Sequence, residues 1–242
     1  MSYQSQDFSS FLIGQSQYYD YGSSLHNVLR SGNFSTEGRS QIIRAKRTTA
    51  RLHKGVYRDI GEPFKNHPDN VVGGLILLEG VRNPDEISAG YLHDIREMHE
   101  KERYAKCLAG FSSNTISMVN VITRKPEEAK DCYRLRIINS SQRIYRIKAN
   151  NLRHNTSDLW LALLTGHLAQ KKIDGKLMDI GFYGYHFQTE CPKTWAEIEK
   201  NLKLFEKVQS DLNYYKQMFE SGEFNPESLL SHPRSEEVLS VA

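Results

Sequence analysis

The chain has 242 residues, 38% of them hydrophobic and 25% charged, with a formal net charge of +3. That mixture suits one large globular domain with appendages, and so mild a charge gives no ground for expecting a nucleic-acid polymer as partner. Three scattered cysteines (Cys107, Cys132, Cys191) form neither a disulfide framework nor a CxxC metal pair. No apolar run reaches the roughly 18–20 residues of a membrane span, and no secretory leader is visible, so a cytoplasmic protein is expected.

Residues 1–40 include ten serines and stretches such as "QSQYYDYGSS". They read as a polar Ser/Tyr-rich extension, either an arm packed on a body or a flexible tail. Seven basic residues (Arg39, Arg44, Lys46, Arg47, Arg51, Lys54 and Arg58) follow closely. As a cluster they read as a solvated basic helix face or as a surface turned toward an anion. From Ser40, Ile42, Ala45, Thr49 and Leu52 recur at helical spacing. "RDIGEPFKNHPDN" is a loop, and a helix begins at Asn66 or just after it. Its "VVGGLILL" is apolar nearly all round and is therefore expected to be buried. In "RNPDEISAGYLHDIREMHEKE", Asn83 is the expected N-cap and Pro84 the first helical residue, with Asp85 and Glu86 in the dipole-favoured first turn. Further helices are expected over 108–123, 127–148, from about 150 through "DLWLALLTGHLAQKK", and over "TWAEIEKNLKLFEKVQSDLNYYKQMF". "FYGYHF" alternates weakly, like a short strand or a packing segment. The domain reading is a helical domain over 41–221 with a tail over 222–242, an all-α bundle with an N-terminal arm and a long C-terminal helix.

The "HD" of "YLHDIREMHE" is the chemical question. Neighbouring helical residues point about 100° apart, yet His93 and Asp94 can both reach an ion at the helix flank, and Glu97 shares that flank. A closed site needs ligands from elsewhere as well. Alone, the pair is weak evidence, and a solvated helix face is the better reading of it. A histidine in "KNHP" (His67) and the asparagines of "RIKANNLRHNTSDL" (Asn151, Asn155) supply candidates.

Taken in order, "LHKGVYRDIGEPFKNHP", "YLHDIRE", "VITRKPEE" and "IKANNLRHN" resemble the HD-domain phosphohydrolases, specifically the hydrolase module of RelA/SpoT-type alarmone enzymes and the small alarmone hydrolases. The resemblance covers roughly residues 45–160 and implies an all-α HD-domain bundle. It implies that His67, His93 and Asp94 ligate a divalent ion, expected as Mn2+, with Asn151 in the position of the aspartate that completes the ligand set. It makes Glu97 the acid that positions or activates the attacking water, and Lys54, Arg58 and Asn155 the pocket residues. The implied activity is metal-dependent (pyro)phosphohydrolysis of a guanosine polyphosphate or other nucleotide, most simply 3'-pyrophosphate removal from (p)ppGpp. The chain departs from the pattern at Met98, where the family has a second acid, and at Asn151, whose carbonyl adds no charge. Asp158 is a substitute ligand on spacing alone. The departures keep a second reading open: an impaired HD-domain protein that binds a nucleotide and regulates a partner. A third is an interaction protein on the same scaffold, and homo-oligomerisation through the arm or last helix is also open. His53, His99 and His154 flank the motifs, but the pattern gives them no place among the ligands.

Overall fold

Polar caps start the helices that carry the site. In the computed structural model, which describes residues 28–29, 34–98, 101–166 and 168–223, the Ser35 side chain accepts from the Gly38 amide and opens α1 (Thr36–Leu52). α1 therefore begins inside the stretch read as polar extension, because a cap is a local event that apolar periodicity does not reveal. α2 (Asn66–Leu77) follows the Pro-containing loop and is buried along almost its whole length. Asn83 caps α3 (Pro84–Leu92) as expected, its side chain accepting from the amides of Asp85 and Glu86. The chain continues through α4 (Ile95–Met98), α5 (Lys101–Leu108), α6 (Ser113–Ile122), α7 (Lys130–Ile138), α8 (Gln142–Thr156), α9 (Leu159–Thr165), α10 (Gln170–Glu190), α11 (Pro192–Ser210) and α12 (Leu212–Ser221). Among the described residues there is no strand, only an isolated antiparallel bridge between Tyr57 and Pro63. The protein is all-α.

Expected long helices are broken where polar residues offer the backbone an alternative. The "HD" helix stops at Leu92 and resumes at Ile95. The 127–148 segment divides at Asn139–Ser141, where Ser141 turns extended (ψ 158°) and starts α8. The segment expected from about 150 divides into α8, α9 and α10, with Gly166 closing α9 in a left-handed conformation. The last long helix breaks at Asp211, whose side chain caps α12. "FYGYHF" is helical, inside α10. Its buried Tyr183 and Phe187 stack at 5.3 Å, and its alternation is a packing pattern rather than a strand.

α8 lies at the centre, packed against α2, α10 and α11, while α2 and α6 pack on α3 and α1 covers α3. The main core joins α1, α2, α3, α6, α8 and α10 through residues such as Ile42, Leu75, Ile87, Leu92, Val119, Ile147 and Tyr183. Each such side chain contributes roughly 1.5–3 kcal/mol by leaving water. Two small residues set the spacing around α2. A Cβ on Gly90 of α3 would stand 2.7 Å from Leu75, and one on Gly74 of α2 would stand 1.9 Å from the Asn150 side-chain oxygen on α8. Only glycine permits these approaches, so α2 is held tightly between the "HD" segment and α8. Of the expected arm over residues 1–40, residues 1–27 and 30–33 lie outside the described residues, as do residues 224–242 of the expected tail over 222–242.

Candidate metal centre and adjoining cleft

His67 stands on the first turn of α2, and His93 and Asp94 occupy the break between α3 and α4. The break lets adjacent residues point the same way. His67 Nε2 is 3.2 Å from His93 Nε2 and 3.3 Å from Asp94 Oδ2, and His93 Nε2 is 3.0 Å from Asp94 Oδ2. Both imidazoles are buried, and the carboxylate is 16% exposed. Main-chain contacts hold the break in place. The buried Thr123 hydroxyl lies 2.7 Å from the Val119 carbonyl and 3.2 Å from the His93 carbonyl, and the Thr49 hydroxyl donates to the Tyr91 carbonyl at 2.8 Å.

The protons decide what this triangle can hold. His93 Nδ1 is 2.8 Å from the Gly90 carbonyl. A carbonyl only accepts, so Nδ1 carries a hydrogen, and in neutral His93 it is Nε2 that presents a lone pair. That lone pair faces the carboxylate oxygen of Asp94, an arrangement that calls for a cation between them. Ligand atoms about 2.0–2.2 Å from a divalent ion and at right angles to one another stand about 3 Å apart, which is the spacing found. The donor set therefore fits a divalent ion. Burial drives the His67 imidazole down to about 4, against an opposing pull from Asp94, which keeps it in the neutral, ligating form at ordinary pH. Burial works against the Asp94 charge, but His93 and His67, once protonated, outweigh it and hold the carboxyl well below its usual range.

Beside this triangle opens a cleft of about 290 Å³ lined by Tyr57, Arg58, Phe64, Asn155, Asp158 and Lys176, among others. Phe64 joins the two regions, its ring edge-on to His67 at 5.6 Å. The Arg58 guanidinium, 9% exposed, is fully engaged: it pairs with Glu62 and with Asp158, both at 2.9 Å, and donates to Asn155 Oδ1 at 3.3 Å. Burial opposes its charge, but Asp158 and then Glu62 more than compensate, and its pKa is raised. From α10, the Lys176 ammonium donates to the Asn155 carbonyl at 3.0 Å. Burial lowers its pKa, with Asp158 pulling the other way.

No protein-family model matches the sequence, and no curated protein matches it. Among solved structures, a metazoan ortholog of SpoT that hydrolyses ppGpp matches with a TM-score of 0.55, over 66% of this chain and 93% of that one. The chain has the fold of a SpoT-type HD hydrolase. At 18% sequence identity, the fold is what the two proteins share.

Within that fold, His67, His93 and Asp94 converge, and Arg58 and Asn155 share the adjoining cleft. Lys54 is exposed in the turn after α1 and is not among the residues lining the cleft. Asn151 lies one turn before Asn155 on α8, and its side-chain oxygen accepts from the Asn155 amide. Asp158 lies beyond the end of α8 and pairs with Arg58, which corrects its reading as a substitute ligand. Glu97 and Met98 belong to α4, but their side chains, like the whole of His99, lie outside the described residues. The family pattern gives His154 no place among the ligands, yet its Nδ1 is 2.8 Å from His67 Nδ1. The signal available for it was position, since His154 follows Asn151 by three residues and so shares its helix face. Lys176 lies outside the span of the family motifs and carried no local signal.

Proposed function

We propose that the protein is a metal-dependent phosphohydrolase of the SpoT type, acting on a phosphorylated nucleotide, with (p)ppGpp the first substrate to test. The observation that carries this reading is the triangle of His67 Nε2, His93 Nε2 and Asp94 Oδ2, with edges of 3.0–3.3 Å. These three side chains would hold the ion, with Asn151 as the proposed fourth ligand. A divalent ion held there would supply Lewis acidity toward water and phosphoryl oxygens. Glu97 is proposed to orient that water and receive its proton. Arg58 and Asn155, with Lys176, would bind the substrate's phosphates and hold the reacting group beside the triangle. The mixed imidazole and carboxylate donor set suits borderline divalent ions, and Mn2+ is the one proposed from the family resemblance. No helix among the described residues is long and apolar enough to cross a membrane, and we place the activity in the cytoplasm.

The test is a screen for phosphate and pyrophosphate release across guanosine and other nucleotides with added Mn2+. Release from guanosine tetraphosphate that disappears in His93→Ala supports the reading. Silence on every nucleotide, with the ion bound, would overturn the enzyme assignment. Met98 in place of an acid, together with an Arg58 already saturated by carboxylates, favours one alternative: a nucleotide-binding regulator with little turnover. Tight nucleotide binding without release identifies that case.

A further inference from the structure

The two ligating histidines are braced differently. His93 is held at Nδ1 by the Gly90 carbonyl, a main-chain group within its own turn. His67 is held at Nδ1 by a side chain from another helix, His154 of α8, at 2.8 Å. The two rings lie 4.9 Å apart at 51°, both buried. We propose that His154 is a positioning residue of the metal centre: its Nδ1 accepts the Nδ1–H of His67 and so stabilises the tautomer in which His67 Nε2 turns its lone pair toward the ion.

The reasoning follows from the proton count. A neutral imidazole carries one N–H, so an Nε2 that ligates an ion requires the hydrogen on Nδ1. In this fold the Nδ1 of His67 is buried and has His154 Nδ1 within hydrogen-bond distance. The pair therefore has one polarity compatible with an occupied site, with His67 donating and His154 accepting. An imidazole whose second nitrogen has an acceptor is a better-oriented and more basic ligand, and losing that acceptor typically weakens metal binding about 10–100-fold.

This inference rests on reading His67, His93 and Asp94 as the metal centre, and the experiment separates the two. Mn2+ affinity of the full chain is measured by titration calorimetry at constant pH, with folding checked by circular dichroism, for wild type, His93→Ala, His154→Asn and His154→Phe. The Asn side-chain oxygen can replace the acceptor with less bulk, whereas Phe keeps the bulk and removes the acceptor. The expected order is wild type and Asn within a few-fold of each other, with Phe weaker by about 10–100-fold. A role in packing alone predicts the reverse, Phe like wild type and Asn weakened, and that order overturns the proposal while leaving the metal centre intact. Wild type binding no more Mn2+ than His93→Ala overturns the metal centre itself, and the proposal with it. If the Phe variant does not fold, His154→Met makes the same comparison, since it too fills space without an oxygen or nitrogen acceptor.

Discussion

The metal triangle and the cleft beside it meet where Phe64 packs on His67, yet their charges are balanced in opposite ways. At the triangle, two buried imidazole nitrogens and a carboxylate oxygen face one another within 3.3 Å, and their lone pairs converge on a space suited to a cation. In the cleft the charges already have partners. Arg58 is shared by Glu62 and Asp158, Lys172 pairs with Asp59, and Lys176 is turned toward a carbonyl. The triangle is thus organised in advance for its ion, whereas an anionic ligand in the cleft must compete with Asp158 for Arg58. Ion binding and substrate binding should accordingly respond to different mutations.

The largest expected effect is at the triangle. His93→Ala should lower Mn2+ affinity more than about 100-fold, since it removes a ligand outright and not merely a supporting group; metal content after dialysis measures this. Retention of a full equivalent would dissolve the contrast between the two regions. Acid should act on the same end. An unfolded histidine takes up its proton near pH 6.5, whereas buried His67 does so only at about 4. Between those values the unfolded chain binds more protons, so stability of the metal-free protein falls as pH falls through that window. His67 accounts for at most about 3 kcal/mol of the loss, and His154 shifts in the same direction. Urea unfolding at several pH values would reveal it, and a stability independent of pH over this range would contradict the buried neutral pair.

A smaller loss is expected from Gly74→Ala. The new methyl would meet the Asn150 side-chain oxygen at 1.9 Å, forcing apart the helices that carry His67 and His154. A loss of about 1–3 kcal/mol in chemical denaturation is expected, accompanied by weaker Mn2+ binding. In the cleft, Asp158→Asn should tighten nucleotide binding by up to about tenfold, because a carboxylate no longer competes for Arg58. Mn2+ affinity should be little changed. Weaker nucleotide binding would mean that Asp158 holds Arg58 in its working position and does not compete with the ligand. Lys54→Ala, at an exposed side chain away from the cleft lining, should change nucleotide affinity by less than about twofold.

Much of this was legible locally. Asn83 before Pro84 announced the start of α3 because capping is a contract between neighbours in sequence, and apolar periodicity announced an all-helical protein. The order of His67, His93 and Asp94 along the chain likewise suggested a metal site before any geometry was known. Helix interruptions were less legible: the breaks at His93–Asp94, at Asn139–Ser141 and at Asp211 fall where residues remain compatible with helix and polar side chains or tertiary contacts tip the balance.

What only the tertiary structure decided depends on distances between helices. His154 is a polar residue on a helix face until Gly74 allows α2 to approach α8 and brings it to His67. Arg58 reads as a free cation for phosphate until the chain folds Glu62 and Asp158 onto it. Sequence alone specified which donors were available and in what order, because residue type and local spacing carry that information. Which lone pairs face a common point, and which charges are already neutralised, followed from the packing of segments far apart in the chain.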